Sequence, residues 1–96
     1  RIKMNIKELQ EFSKKKQWEV TSNEIYKKFT FNNFIDAKNF FDSVAILAEE
    51  EKHHPKVIIS YNIVELFLTT HDEGKITRKD LQLATLINNL IDEITP

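Results

Sequence analysis

The sequence predicts a small α+β domain with the element order α-β-β-α-β-β-α. Its 96 residues suffice for one domain, which we expect to span residues 1–96. Apolar residues recur with helical spacing in some segments and alternate with polar residues in others. One Gly and two Pro interrupt the chain, so its elements follow each other closely. Together these features predict a four-stranded antiparallel sheet with the helices packed on one face.

The first half of the chain predicts a helix, a β-hairpin and a second helix. Ile6, Leu9 and Phe12 recur at a spacing of three within 5–16, which suits a short amphipathic helix. Residues 18–21 and 25–31 alternate apolar and polar around a turn-like 22–24, a pattern typical of a hairpin. A helix with a broad apolar face follows over 34–52, after asparagines that can cap it.

The second half predicts another hairpin and a last helix. Pro55 ends the second helix, because the residue before a proline disfavours helical geometry. Two strands are expected over 57–60 and 63–70. Thr77 is then a good N-cap for a helix over 78–93.

The last helix carries more apolar residues than one small sheet can cover. Asp80 falls at its third position, near the place where a capping box has a carboxylate. One apolar face can cover the sheet, and the surplus favours another copy of the chain as partner, in a homodimer or homotetramer. The apolar residues of this helix are Leu81, Leu83, Ala84, Leu86, Ile87, Leu90, Ile91 and Ile94.

Composition excludes several functions. A net charge of −1 argues against nonspecific nucleic-acid binding, which requires a basic surface. No apolar run approaches the roughly 20 residues of a membrane span. The chain has no Cys, which excludes disulfides and thiolate chemistry. Because residue 1 is Arg rather than Met, an upstream targeting segment stays open, and we expect a cytoplasmic protein that could also enter the nucleus.

All three histidines lie in one stretch that begins at Glu49 and ends at Asp80. The stretch has the spacing E-x3-H-H-P-x5-Y-x9-H-x8-D, with His53, His54 and His71 as its histidines. Histidine can both donate and accept a proton near neutral pH, so this set beside carboxylates suits an acid–base enzyme. Glu49 lies four residues before His53, so on a helix it would share the face of that histidine and orient its ring.

Each of these residues also has a plainer interpretation. His53 and His54 would then be solvated side chains at a helix C-terminus. His71 would be an ordinary strand-end histidine, and Asp80 a helix cap. The histidines and Asp80 could also bind zinc, but adjacent histidines chelate poorly and the i, i+4 pair of helical metal sites is missing. We therefore expect no metal.

The histidine spacing and its surroundings resemble the pterin-4a-carbinolamine dehydratase family, also called the dimerisation cofactor family. The resemblance covers nearly the whole chain after residue 12. The matching positions are Trp18, Phe29-Thr30-Phe31, Phe34, Val44-Ala45, Ala48-Glu49, His53-His54-Pro55, Tyr61-Asn62, Thr69-Thr70-His71, Thr77, Asp80 and Leu83-Ala84.

The resemblance implies an enzyme that dehydrates 4a-hydroxytetrahydrobiopterin to quinonoid dihydropterin, without a metal or redox cofactor. This reaction recycles the tetrahydropterin cofactor of aromatic amino-acid hydroxylases. By position, His53 and His71 would be the acid–base pair, and His54 would hold the pterin. Asp80 would support His71 or the substrate. The other residues implied near the substrate are Glu49, Thr69, Thr70 and Asp72.

Two positions depart from the family pattern. Relatives often have Trp two positions after the proline, where this chain has Val57. Some relatives place Asp before the histidine pair, where Lys52 reverses the charge. Family members are often tetramers, and some bind a transcription factor through the helical surface that joins their dimers. The resemblance therefore leaves open a second class, an interaction module of the same fold that needs no catalysis.

Overall fold

The computed structural model describes residues 6–94 and shows the predicted α+β order. The ends of the expected domain, 1–5 and 95–96, lie outside this described part. Within residues 6–94, no helix has the length and apolar content needed to cross a membrane. The elements are α1 (Ile6–Lys16), β1 (Glu19–Val20), β2 (Ile25–Thr30), α2 (Phe34–Glu51), β3 (Lys56–Ser60), β4 (Ile63–Leu68), a 3-10 turn (His71–Glu73) and α3 (Arg78–Ile94).

The four strands form one antiparallel sheet in the order β1-β2-β4-β3. The central strands β2 and β4 pair along their full length, from Ile25 opposite Leu68 to Thr30 opposite Ile63. Because successive side chains of a strand point to opposite faces, one face of β4 is buried while the other is only half-buried. The buried face carries Val64, Leu66 and Leu68, as the alternation predicted.

Helices α2 and α3 cover the buried face of the sheet, as expected. α2 buries Ala37, Phe40, Val44 and Ala48, whose spacing of three or four places them on one side of the helix. Asn33 caps this helix, since its side-chain oxygen accepts a hydrogen bond from the backbone N–H of Asp36 at 2.8 Å. The cap confirms the predicted start of α2.

Most apolar residues of α3 pack against the rest of the same chain. Leu83 and Ile87 are fully buried in the core, because α3 packs against both α1 and α2. The apolar surplus expected to drive self-association is therefore smaller than predicted, and Ile87 does not belong to it. Leu86 and Leu90 are half-buried. The side chain of Ile94 lies outside the described part of the chain.

The prediction that β4 extends to residue 70 is wrong, and this changes the position of His71. The strand ends at Leu68, and His71 begins a 3-10 turn instead of ending a strand. Gly74 has a φ of 65° and its N–H donates to the carbonyl of Thr70 at 2.9 Å, which closes the turn. Strand alternation therefore does not set the direction of His71.

Lys27 lies on the helix-facing side of β2, where the sequence alone predicts an apolar residue. Its ammonium group donates to the carbonyl of Lys16 at 3.3 Å and to Asn88 Oδ1 at 3.1 Å. The indole N–H of Trp18 donates to the same Asn88 oxygen at 3.0 Å. Burial lowers the pKa of Lys27. This polar cluster ties the end of α1 to β2 and α3.

Candidate active site

Helix α2 ends immediately before the adjacent histidines, and its C-terminus sets their directions. Lys52 has a φ of 54°, in the left-handed region, and its N–H donates to the carbonyl of Glu49 at 3.3 Å. The N–H of His53 donates to the carbonyl of Ala48 at 3.0 Å. This pair of bonds is a Schellman motif, which terminates a helix and turns the chain away from its axis. The turn lets neighbouring histidines face one cleft, as predicted for a helix that stops here.

His53 is paired with Asp80, a contact that the sequence did not predict. Its Nε2 lies 2.5 Å from Asp80 Oδ1, and the side chain of His53 is 11% exposed while that of Asp80 is fully buried. The expectation that Glu49 orients His53 is therefore wrong. The expected link between Asp80 and His71 is replaced by this bond, because His71 belongs to an exposed turn.

Asp80 accepts two further hydrogen bonds, both through Oδ2. The hydroxyl of Thr70 donates to it at 2.8 Å and the backbone N–H of Thr77 donates at 2.9 Å. The second bond is the carboxylate half of the predicted capping box at the start of α3. Two donors thus converge on Oδ2 of this buried carboxylate, while its Oδ1 faces the ring of His53. Asp80 serves both as helix cap and as partner of His53.

The hydrogen bonds around Asp80 have a single consistent direction. Because the Thr70 hydroxyl donates to Asp80, the hydroxyl of Thr77, 2.6 Å away, must donate to Thr70. Thr77 Oγ1 in turn accepts from the backbone N–H of Lys79 at 3.3 Å. By the same reasoning, His53 donates through Nε2, and its other ring nitrogen, Nδ1, is the one not engaged with Asp80.

Glu49 pairs with His54 instead of His53. His54 Nε2 lies 2.5 Å from Glu49 Oε2, and their side chains are 61% and 77% exposed. An exposed pair of this kind contributes little to stability. Its effect is to hold the ring of His54 at the mouth of the cleft.

A cleft of about 350 Å³ joins the three histidines, which come from the end of α2 and from the 3-10 turn. This volume lies within the range of small-molecule sites. Two other predicted substrate neighbours, Thr70 and Asp72, also line it. The lining residues that the sequence reasoning did not place there are Lys52, Pro55, Lys56 and Lys79. The one feature of the sequence that could have indicated them is that they flank the histidine pair and Asp80.

Thr69, also expected near the substrate, does not line this cleft. Its hydroxyl donates to the carbonyl of Asn23 at 2.5 Å, in the turn between β1 and β2. Thr69 and Thr70 lie on opposite sides of the extended chain, because the burial alternation of β4 continues through them: Thr69 is half-buried and Thr70 is buried.

The rival zinc interpretation requires His and carboxylate side chains that converge on one point. In the described range 6–94, no three His, Asp or Glu side chains converge as metal ligands. The site instead combines one sheltered histidine bonded to a carboxylate, one exposed histidine and one histidine held by Glu49. Such a set can move protons to and from a small ligand.

Fold and cleft together define a class of small α+β proteins with a histidine-lined pocket, and comparison with known proteins identifies the family. The profile of "Pterin 4 alpha carbinolamine dehydratase" matches residues 2–90. This chain therefore belongs to the pterin 4 alpha carbinolamine dehydratase family.

Individual relatives agree with this assignment. A protein of Sulfurisphaera tokodaii, provisionally named pterin-4-alpha-carbinolamine dehydratase, is 43% identical over 90 residues, which cover 93% of this chain and 97% of the relative. A protein of Prochlorococcus marinus with the same provisional name is 44% identical over 79 residues, covering 82% and 83%.

Solved structures share the fold. The crystal structure of a transcriptional coactivator/pterin dehydratase from Brucella melitensis has a TM-score of 0.84 and 28% identity, covering 92% of this chain and 97% of the other. A pterin dehydratase-like protein described as a RuBisCO assembly factor in the alpha-carboxysome has a TM-score of 0.63 and 20% identity, covering 76% and 84%. The second likeness concerns the fold alone.

Proposed function

We propose that this protein dehydrates pterin 4a-carbinolamines by histidine acid–base catalysis, as a step in tetrahydrobiopterin recycling. The observation that carries the proposal is the bond between His53 and the buried Asp80 at the wall of a cleft lined by all three histidines. In the reaction, the C4a–O bond breaks, the hydroxyl leaves as water after gaining a proton, and N5 loses a proton to form the C4a=N5 bond. The site must therefore supply one acid and one base.

His53 is the proposed base. Donation of its Nε2–H to Asp80 leaves the lone pair on Nδ1, which can take the proton from N5. The positive charge that then forms on the ring is balanced by the Asp80 carboxylate at 2.5 Å. Asp80 acts as a positioning residue, since it is fully buried and meets the cleft through His53.

His71 is the proposed acid. It lies at the exposed edge of the cleft, where it can protonate the departing 4a-hydroxyl and regain a proton from water. His54 holds the pterin, with Glu49 fixing its ring. Thr70 and Asp72 complete the proposed binding surface. In this proposal the protein supplies only proton transfers to the leaving hydroxyl and from N5, so we expect activity to survive chelation of metals.

The test is a dehydration assay on freshly generated 4a-carbinolamine, compared with the spontaneous loss of water. The unaltered protein should accelerate the reaction, and His53→Ala or His71→Ala should slow it by about 10²-fold. His54→Ala should mainly raise KM. Thr85→Val is a matched control, because Thr85 bonds only its own helix, at the carbonyl of Leu81. A double His53/His71 variant with the unaltered rate would refute the proposal.

A second candidate function is an interaction module, and exposed apolar side chains on α2 favour it. Phe34, Ile35 and Ile46 are 51%, 60% and 61% exposed. The Brucella melitensis relative is described as a transcriptional coactivator as well as a pterin dehydratase. Under this alternative, a transcription-factor partner would bind and the histidines would be dispensable. Absence of any acceleration in the dehydration assay would favour it over the enzyme.

A further inference from the structure

Three lysines surround the histidine cleft, and they come from three different elements. Lys52 follows α2, Lys56 begins β3 and Lys79 lies in the first turn of α3. All three are exposed at the rim. The one carboxylate that lines the cleft with them is Asp72. The cleft is therefore locally basic, although the whole chain has a net charge of −1.

Carboxylates near these lysines in the chain or the fold are engaged elsewhere. Glu49 is bonded to His54 and Asp80 to His53. Glu51 accepts from the side chain of Gln82 at 3.0 Å, and Glu65 accepts from the hydroxyl of Tyr26 at 2.6 Å. Among the described residues, no ion pair involves Lys52, Lys56 or Lys79. Their charges are therefore available to a ligand.

The ammonium group of Lys56, one of the three lysines, is held by a cation–π contact with Phe67. Its ammonium group lies 4.7 Å from the centre of the Phe67 ring on the open face of the sheet. A cation over an aromatic ring is favourably placed without losing its charge. The charge of Lys56 therefore stays beside the cleft, which this residue lines.

The reduced pterin ring carries no negative charge near neutral pH, so the ring alone does not require a lysine rim. We propose that this cleft accepts, and prefers over a pterin with a neutral side chain such as biopterin, a pterin whose side chain bears an anionic group, a phosphate monoester or a carboxylate. The histidines contact the ring, and Lys52, Lys56 and Lys79 bind the anion at the rim. This inference rests on the proposed function, since it names the substrate class of the same site.

The experiment compares three 4a-carbinolamines that share one ring and differ in a neutral, carboxylated or phosphorylated side chain. At low ionic strength the preferred anionic compound should have a kcat/KM about tenfold above the neutral one, as expected for a few partly solvated charges. The combined Lys52→Gln, Lys56→Gln and Lys79→Gln variant should reduce this ratio to below about threefold. Lys28→Gln, an exposed lysine of β2 outside the cleft, should leave the ratio unchanged.

Comparison of kcat/KM for the carboxylated and the phosphorylated carbinolamine identifies which anion the three lysines prefer. Equal kcat/KM for neutral and anionic compounds, or a ratio unaffected by the triple substitution, would overturn the inference while leaving the dehydratase intact. Fluorescence titration with a side-chain phosphorylated pterin and its neutral counterpart separates the two proposals. Suppose that none of the three carbinolamines is dehydrated faster than in water, but the phosphorylated pterin binds more tightly than the neutral one and this difference depends on the lysines. The proposed dehydratase activity is then wrong, and the anionic ligand is supported.

Discussion

Asp80 Oδ1 lies 2.5 Å from His53 Nε2, although the two residues are 27 positions apart in the sequence. The contact joins the end of α2 to the first turn of α3, so the packing of these two helices sets the geometry of the proposed base. A group held in this way needs little reorganisation before it takes a proton.

Replacement of Asp80 by Asn tests this relationship. The substitution keeps the shape but removes the charge that balances protonated His53, so kcat should fall by about 10²-fold or more. Nitrogen NMR of His53 should also show a changed tautomer, because the Asn side chain can donate as well as accept. Asp92→Asn, an exposed aspartate of the same helix, is the control. An unchanged tautomer together with unchanged kcat would contradict the role given to Asp80.

The elements of this fold were predictable because they depend on local patterns. α2 was expected over 34–52 and is observed at Phe34–Glu51, and the alternation of β4 gave its buried face correctly. The partners of the histidines were not predictable, because they depend on where α2 ends and how α3 packs. Spacing alone favoured Glu49 as the partner of His53. In the structure, the chain turns at the Schellman motif of Lys52, and Glu49 contacts His54 instead.

The two threonines behind Asp80 should matter to stability as well as to the site. Thr70→Val removes the hydroxyl that donates to Asp80 and accepts from Thr77, so Asp80 Oδ2 loses one of its two donors and the Thr77 hydroxyl loses its acceptor. The expected loss of unfolding free energy is about 1–3 kcal/mol, measured by urea denaturation. Thr70→Ser should restore most of it. A Thr70→Val protein as stable as Thr85→Val would show that the network contributes nothing.

Tyr26 should make stability depend on alkaline pH. Its hydroxyl donates to Glu65 at 2.6 Å, and this hydrogen bond, with burial and the charges of Glu65 and Glu19, raises the pKa of Tyr26 from 10.0 to about 12. A folded-state pKa above the unfolded value means that this contribution is complete below pH 10 and is lost as pH rises through about 12.

Absorbance at alkaline pH can follow Tyr26 alone in a Tyr61→Phe background, because the chain has two tyrosines. Glu65→Gln should lower the pKa of Tyr26 and flatten the decline of unfolding free energy at alkaline pH. A midpoint for Tyr26 that does not respond to Glu65→Gln would rule out the hydrogen bond as the cause.

The expected self-association can now be tested with two positions of α3 that differ in burial. Ile87 is fully buried within the chain, so Ile87→Glu should unfold the domain, since a charge buried without a partner is strongly disfavoured. Leu90 is half-buried at the margin of the core, so Leu90→Glu should destabilise the fold less than Ile87→Glu and weaken contacts with another copy. Circular dichroism separates these outcomes, and light scattering at micromolar concentration measures the mass.

We expect the mass of the unaltered protein to exceed the 11.4 kDa of one chain, and we expect Leu90→Glu to shift it to smaller species. A mass of one chain for the unaltered protein would exclude assembly through this helix.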